Sequence, residues 1–234
     1  MLPHHHHEEH FTATDLVKDI VIGMSDGLTV PFALAAGLSG AVGIVPHIIL
    51  TAGIAEIAAG SIAMGLGGFL SGRTEVHHYE AELAREYEEV ERIPEKEREE
   101  VREILEEMGL TAEEQHILVE ALCRDKDKWV DFMMKFELGL EKPDANRATK
   151  SAFNIGGSYI VGGLIPLTPY ALIADVPTAL LASVGVTMLA LFVFGYFKAR
   201  LTGQNVWQGA VQTLLIGAAA AGTAYGLARL FSAQ

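Results

Sequence analysis

The 234-residue chain has a single cysteine, Cys123. That excludes an intrachain disulfide and any metal cluster built only from the thiolates of one chain. Bases are also scarce, with 17 Lys and Arg against 30 Asp and Glu for a formal net charge of −13. The chain therefore lacks the basic surface that nucleic acid requires, and no nucleic-acid partner is expected. Nor does a basic segment precede the first apolar run, where a cleavable signal peptide would need one. In its place stand His4, His5, His6, His7, Glu8, Glu9 and His10. Such a tract can gather metal or be a tag remnant, and both readings stay open.

What the chain has in quantity is apolar sequence. Half of its residues are hydrophobic, too many for an ordinary soluble domain. Its charge is packed into one block: residues 73–150 hold 23 acids and 13 bases, leaving 7 acids and 4 bases elsewhere. Outside that block lie five uncharged or singly charged runs, at residues 20–44, 48–70, 151–174, 176–197 and 206–228. Each is long enough to cross a hydrocarbon core of roughly 30 Å with some tilt. Five crossings put the termini on opposite sides. The acidic block contains 13 bases, Lys198 and Arg200 follow the fourth run, and the turns at 45–47 and at Asp175 contain none. The positive-inside tendency then predicts a cytoplasmic N-terminus and a cytoplasmic insert, with the C-terminus outside or luminal.

Two of the runs contain a carboxylate. Asp26 is the only charged side chain from Ile20 to Ile44, with Gly27, Pro31 and Gly37 nearby. Burying such a group costs about 2.5 kcal/mol or more, and it is tolerated mainly beside a polar pathway or a partner. In the second run Glu56, Gly60 and Met64 recur every four residues, along one helix side over about 12 Å. Met64 alone reads as a packing methionine, whereas a mid-membrane glutamate points to a functional site. Gly68-x-x-x-Gly72 in the second run and Gly222-x-x-x-Gly226 in the fifth are helix-packing spacings of low specificity.

The insert reads as a small helical domain, because each of its segments has an apolar face to bury. Leu83, Tyr87 and Val90 mark one helix, broken at Pro94; Val101, Ile104, Leu105 and Met108 mark the next, stopped by Gly109. Thr111 to Glu114 has the form of a capping box for a third, with Ile117, Leu118, Ala121 and Leu122 as its apolar residues. Trp129, Phe132, Met133 and Phe136 mark a fourth, ended by Gly139 and Pro143. Glu86 with Glu89, and Glu97 with Glu100, are i, i+3 pairs whose carboxylates share a helix face and can converge on a cation. The plainer meaning of such pairs is a solvated acidic face. Met133 and Glu137 stand at i, i+4, with Met133 also on the apolar stripe. A competing pattern is Glu75-x-x-His78 and Glu113-x-x-His116, spaced like the ligands of di-iron bundles. It supports an alternative function, a membrane-anchored ferritin-like di-iron oxidase or metal-storage protein.

The stretch SDGLTVPFALAAGLSG at residues 25–40 resembles the first transmembrane helix of the vacuolar iron transporter family, and FNIGGSYIVGGLIPLTPY at 153–170 is similar to a later one. The resemblance implies an all-α membrane protein: five transmembrane helices, with a cytoplasmic helical metal-binding domain inserted between helices two and three. Its segments would be a His/Glu-rich N-terminus (1–18), helices one and two (19–72), the insert (73–148) and helices three to five (149–234). It further implies that Glu86, Glu89, Glu97, Glu100, Met133 and Glu137 bind metal, and that Asp26, Glu56 and Met64 line the transport pathway. Carboxylates with a thioether favour Fe(II), with Mn(II), Co(II) and Zn(II) also accommodated. The expected protein is thus a homodimeric transporter, not an enzyme. It carries no prosthetic group and exports Fe(II) from the cytoplasm by proton antiport. Its membrane would be the cell membrane in a bacterium or the vacuolar membrane in a eukaryote.

Overall fold

A computed structural model describes residues 13–41 and 43–232; the histidine tract lies outside the described residues. These fold into eight α-helices with no strand among them: α1 (Ala13–Ser39), α2 (Pro46–Arg92), α3 (Pro94–Glu107), α4 (Ala112–Leu122), α5 (Lys126–Phe136), α6 (Arg147–Leu172), α7 (Val176–Leu201) and α8 (Val206–Ser232). Five of them, α1, α2, α6, α7 and α8, are long and apolar enough to cross a membrane. The described residues divide into two compact units, one up to residue 69 and from 148 onward, the other of residues 70–147. The second helix contributes its apolar first half to one unit and its charged second half to the other. It does not stop at Gly72, because the charged sequence continues the helix with side-chain pairs one turn apart, such as Arg73 with His77 and Arg85 with Glu89.

In the first unit, many large apolar side chains point outward, among them Ile62 at 71% exposure and Leu181 at 74%. Lipid is the solvent suited to such a surface. With lipid as apolar as leucine, helices associate through close packing of small residues. The sixth helix does this on two sides. A Cβ placed on Gly27 of α1 would lie 2.9 Å from Tyr159 Cα and closer still to its carbonyl oxygen, and one on Gly23 would meet the Ile155 backbone in the same way. On α2, a Cβ at Gly65 would lie 3.0 Å from the Ala152 carbonyl oxygen, and one at Gly68 would lie 2.9 Å from Ser151 Oγ. Gly68 is thus used for helix packing, whereas Gly222 and Gly226 have nothing within 4 Å. Helix starts are chemically marked: Asp175 accepts a hydrogen bond from the Thr178 N–H at 3.0 Å, and Asn205 accepts from Trp207 and Gln208.

The second unit has its own core of Val90, Val101, Leu105, Val119, Trp129, Val130, Met133 and Met134. Pro94 opens α3, as its fixed φ favours. Gly109, at φ 86°, ends that helix, with the Leu110 N–H closing on the Leu105 carbonyl at 3.2 Å. Glu114 accepts hydrogen bonds from the Thr111 N–H at 2.8 Å and hydroxyl at 2.6 Å, starting α4 where the capping box predicts. The expected apolar face of α4 needs correction. Ile117 and Leu118 are exposed, and the buried side carries Gln115 and Val119. Gln115 is tolerated there because its amide donates to the Leu110 carbonyl at 2.8 Å.

The glycine contacts generate a direct test. Gly27→Ala should lower the stability of the detergent-solubilised protein by about 1–3 kcal/mol, because backbone must move to admit one methyl. Gly157→Ala, with nothing within 4 Å, should be neutral or slightly stabilising. Thermal melting followed by size-exclusion chromatography distinguishes the pair; equal melting would mean that α1 and α6 are not in backbone contact.

Candidate metal centre

The break at Ile93–Pro94 turns the chain from α2 into α3 and brings the two Glu-x-x-Glu pairs to face each other. Glu86, Glu89 and Glu97 each present a carboxylate oxygen, all within 4.8 Å of one another. Among the described residues this is the one group of three or more His, Cys, Asp or Glu side chains whose ligand atoms converge. Glu86 and Glu97 are each 2% exposed, and the Oε2 of each is buried without a hydrogen-bond partner. Burial pushes both carboxyls up to about 7, and the surrounding acids add to the effect: Glu137 and Glu89 on Glu86, Glu100 and Glu86 on Glu97. Bases sit at the rim. Arg85 lies 3.9 Å from Glu89 and Lys96 lies 2.7 Å from Glu100.

Glu137 closes the C-terminal end of α5, its N–H donating to the Met133 carbonyl at 3.0 Å. Burial raises its carboxyl, and the charges of Glu100 and Glu89 raise it further, against Lys96 and Arg85. Glu100 and Glu137 are therefore electrostatically part of the cluster. Met133 is fully buried in the apolar core, the packing position that its stripe predicts. An arrangement of buried, mutually repelling carboxylates with free lone pairs can bind a divalent cation, which relieves both the repulsion and the missing hydrogen bonds.

The alternative di-iron spacing does not converge. Glu75, His78, Glu113 and His116 are all exposed; Glu75 pairs with Arg147 at 3.7 Å, and His78 lies 3.9 Å from Glu82.

In the membrane-type unit, Asp26 on α1 and Glu56 and Met64 on α2 are all half-buried. The Tyr159 hydroxyl of α6 donates to Glu56 Oε1, while Glu56 Oε2 is buried without a hydrogen-bond partner. A second buried carboxylate stands two helical turns before Asp26: Asp19, 2% exposed, accepts from Ser151 Oγ at 3.0 Å and from Asn154 Nδ2 at 3.4 Å. Neither Asp19 nor Tyr159 is among the candidate residues that the sequence analysis singles out. The available signals were the seven-residue spacing from Asp19 to Asp26, which keeps both on one helix side, and a phenol inside an apolar run, which needs a partner away from water.

A family model described as the VIT family matches residues 17–229. The chain is 53% identical to "Vacuolar iron transporter 1" of Oryza sativa subsp. japonica, over 97% of this chain and 89% of the relative. It is 54% identical to the Arabidopsis thaliana protein of the same name, over 97% and 90%. To "Protein CCC1" of Saccharomyces cerevisiae the identity is 38%, over 92% of this chain and 69% of the relative.

The raised carboxyls fix the sign of a pH dependence. A folded-state value near 7, above the ordinary 4.5, means that the stability contributed by protonated Glu86 and Glu97 is present below about pH 4.5 and lost as pH rises through 7. In a Trp207→Phe background, Trp129 fluorescence should report a lower melting temperature for the metal-free protein at pH 8 than at pH 5.5. Mn(II) added at pH 8 should close most of the gap. Identical melting at both pH values, with no response to the ion, would return the cluster to a solvated acidic face.

Proposed function

The chain belongs to the VIT family, and from that membership and its buried carboxylates we propose that it transports divalent metal, moving Fe(II) out of the cytoplasm in exchange for protons. The observation that carries the proposal is the convergence of Glu86, Glu89 and Glu97 with two buried, unpartnered oxygens. Relatives of this chain are named for vacuolar iron transport. Mn(II), Co(II) and Zn(II) suit the same ligands. The transporting membrane is vacuolar, or the cell membrane in a bacterium.

In this reading residues 73–148 face the cytoplasm. There Glu86, Glu89, Glu97, Glu100 and Glu137 collect the ion, with Met133 as the soft ligand that the family resemblance implies. The ion then passes to Asp26, Glu56 and Met64. Carboxylates carry the ion through the low-dielectric layer, and the Met64 thioether adds preference for a more polarisable metal. Metal and protons compete for the same oxygens, so an ion leaving toward the far side is replaced by protons returning. Five helices from one chain offer few polar groups to surround a path. A symmetric dimer that places Asp26 and Met64 from both copies around a shared axis doubles that number.

The test is flux in proteoliposomes. With Fe(II) supplied outside under anaerobic conditions, a trapped divalent-sensitive dye should report entry, and the internal pH should rise as protons leave. Asp26→Asn should reduce the initial rate at least tenfold. A wild-type protein without flux, with Fe(II) oxidised once oxygen is admitted, would overturn transport in favour of oxidase chemistry.

A further inference from the structure

We infer that Tyr159 is the positioning residue of the membrane path: its hydroxyl holds one oxygen of Glu56 so that the other is presented to the passing ion. The inference rests on the transport reading above and assigns a role to a side chain that supplies no charge.

Three observations meet at this residue. Tyr159 is 2% exposed, and its hydroxyl donates to Glu56 Oε1 while Glu56 Oε2 remains buried and unpartnered. A phenol has one proton to give. The pairing therefore fixes the carboxylate at one oxygen and leaves the second as the free ligand. The space for that contact comes from Gly60, one turn beyond Glu56: a Cβ there would lie 2.5 Å from Tyr159 Cζ and 2.7 Å from Cε1. No side chain other than hydrogen leaves the ring in place. At its other end the tyrosine is anchored by backbone, since a Cβ on Gly27 would lie 2.9 Å from Tyr159 Cα. Gly27 is the neighbour of Asp26. One residue of α6 thus spans from the Asp26 segment of α1 to the carboxylate of α2, held at both ends by glycines.

A carboxylate free to rotate meets an ion in many geometries, whereas one held at a single oxygen meets it in few. Losing the tether should weaken ion capture more than it slows transfer. The measurement is initial Fe(II) flux against Fe(II) concentration for wild type, Tyr159→Phe and Gly60→Ala, with monodispersity checked for each. Tyr159→Phe keeps the ring and its packing, and should raise the half-saturating Fe(II) concentration roughly tenfold, the order expected of one hydrogen bond to a charged group. Its maximal rate should stay within about twofold. Gly60→Ala, which drives the hydroxyl away by a different route, should move the half-saturating concentration in the same direction. A concentration unchanged in both variants, or a fall in maximal rate alone, overturns the inference. A wild type that carries no Fe(II) removes the transport reading instead, and infrared difference spectroscopy then decides the positioning role separately. The carboxyl band abolished by Glu56→Gln must shift in Tyr159→Phe; an unmoved band overturns it.

Discussion

Backbone contact between α6 and the glycines of α1 and α2 is the constraint on which the membrane-type unit depends. In lipid the apolar surfaces of helices gain nothing by meeting each other, so close approach must come from residues without side chains. Gly23 and Gly27 on one flank and Gly65 and Gly68 on the other let α6 lie against both neighbours. That position delivers Ser151, Asn154 and Tyr159 to Asp19 and Glu56. Ionisable groups survive inside apolar helices only with such partners. The glycines and the carboxylates are thus one design: the first make the approach that the second require.

The acidic unit resolves the opposite conflict. Its carboxylates repel, and the solvent-screened rim pairs Arg85–Glu89 and Lys96–Glu100 offset little of that repulsion. Glu86 and Glu97 are buried in a unit whose apolar core is well packed, with Val101, Val130 and Met133 fully buried and Trp129 nearly so. Each buried side chain of that size contributes about 1.5–3 kcal/mol. Hydrophobic burial therefore holds the carboxylates together against their own repulsion.

Much of this was legible in the sequence, because the determining signals are local. Apolar runs of membrane length mark the five long helices, and Pro94 and Gly109 mark breaks that the helices respect. The Glu-x-x-Glu spacing identifies which carboxylates share a face. What was not legible depends on partners distant in the chain. Periodicity assigns Ile117 and Leu118 to the core of α4, yet Gln115 is buried there because the Leu110 carbonyl accepts from it. The Tyr159–Glu56 bond joins residues 103 positions apart, and no spacing rule reaches across that distance. Two matching small-residue motifs also diverge: Gly68 meets α6, while Gly222 meets nothing within 4 Å. A motif states what a helix can do, and only a neighbour decides whether it does.

Burial and the neighbouring acids raise the carboxyls of Glu86 and Glu97 to about 7, so both hold protons more tightly than an ordinary carboxyl. A divalent ion entering that cluster would expel the protons the two carboxyls hold. Loading would then change the net charge of the unit by less than two, and would acidify the solution beside it. In the transport proposed above, protons would thus be given up where the ion is captured, before any are exchanged within the bilayer.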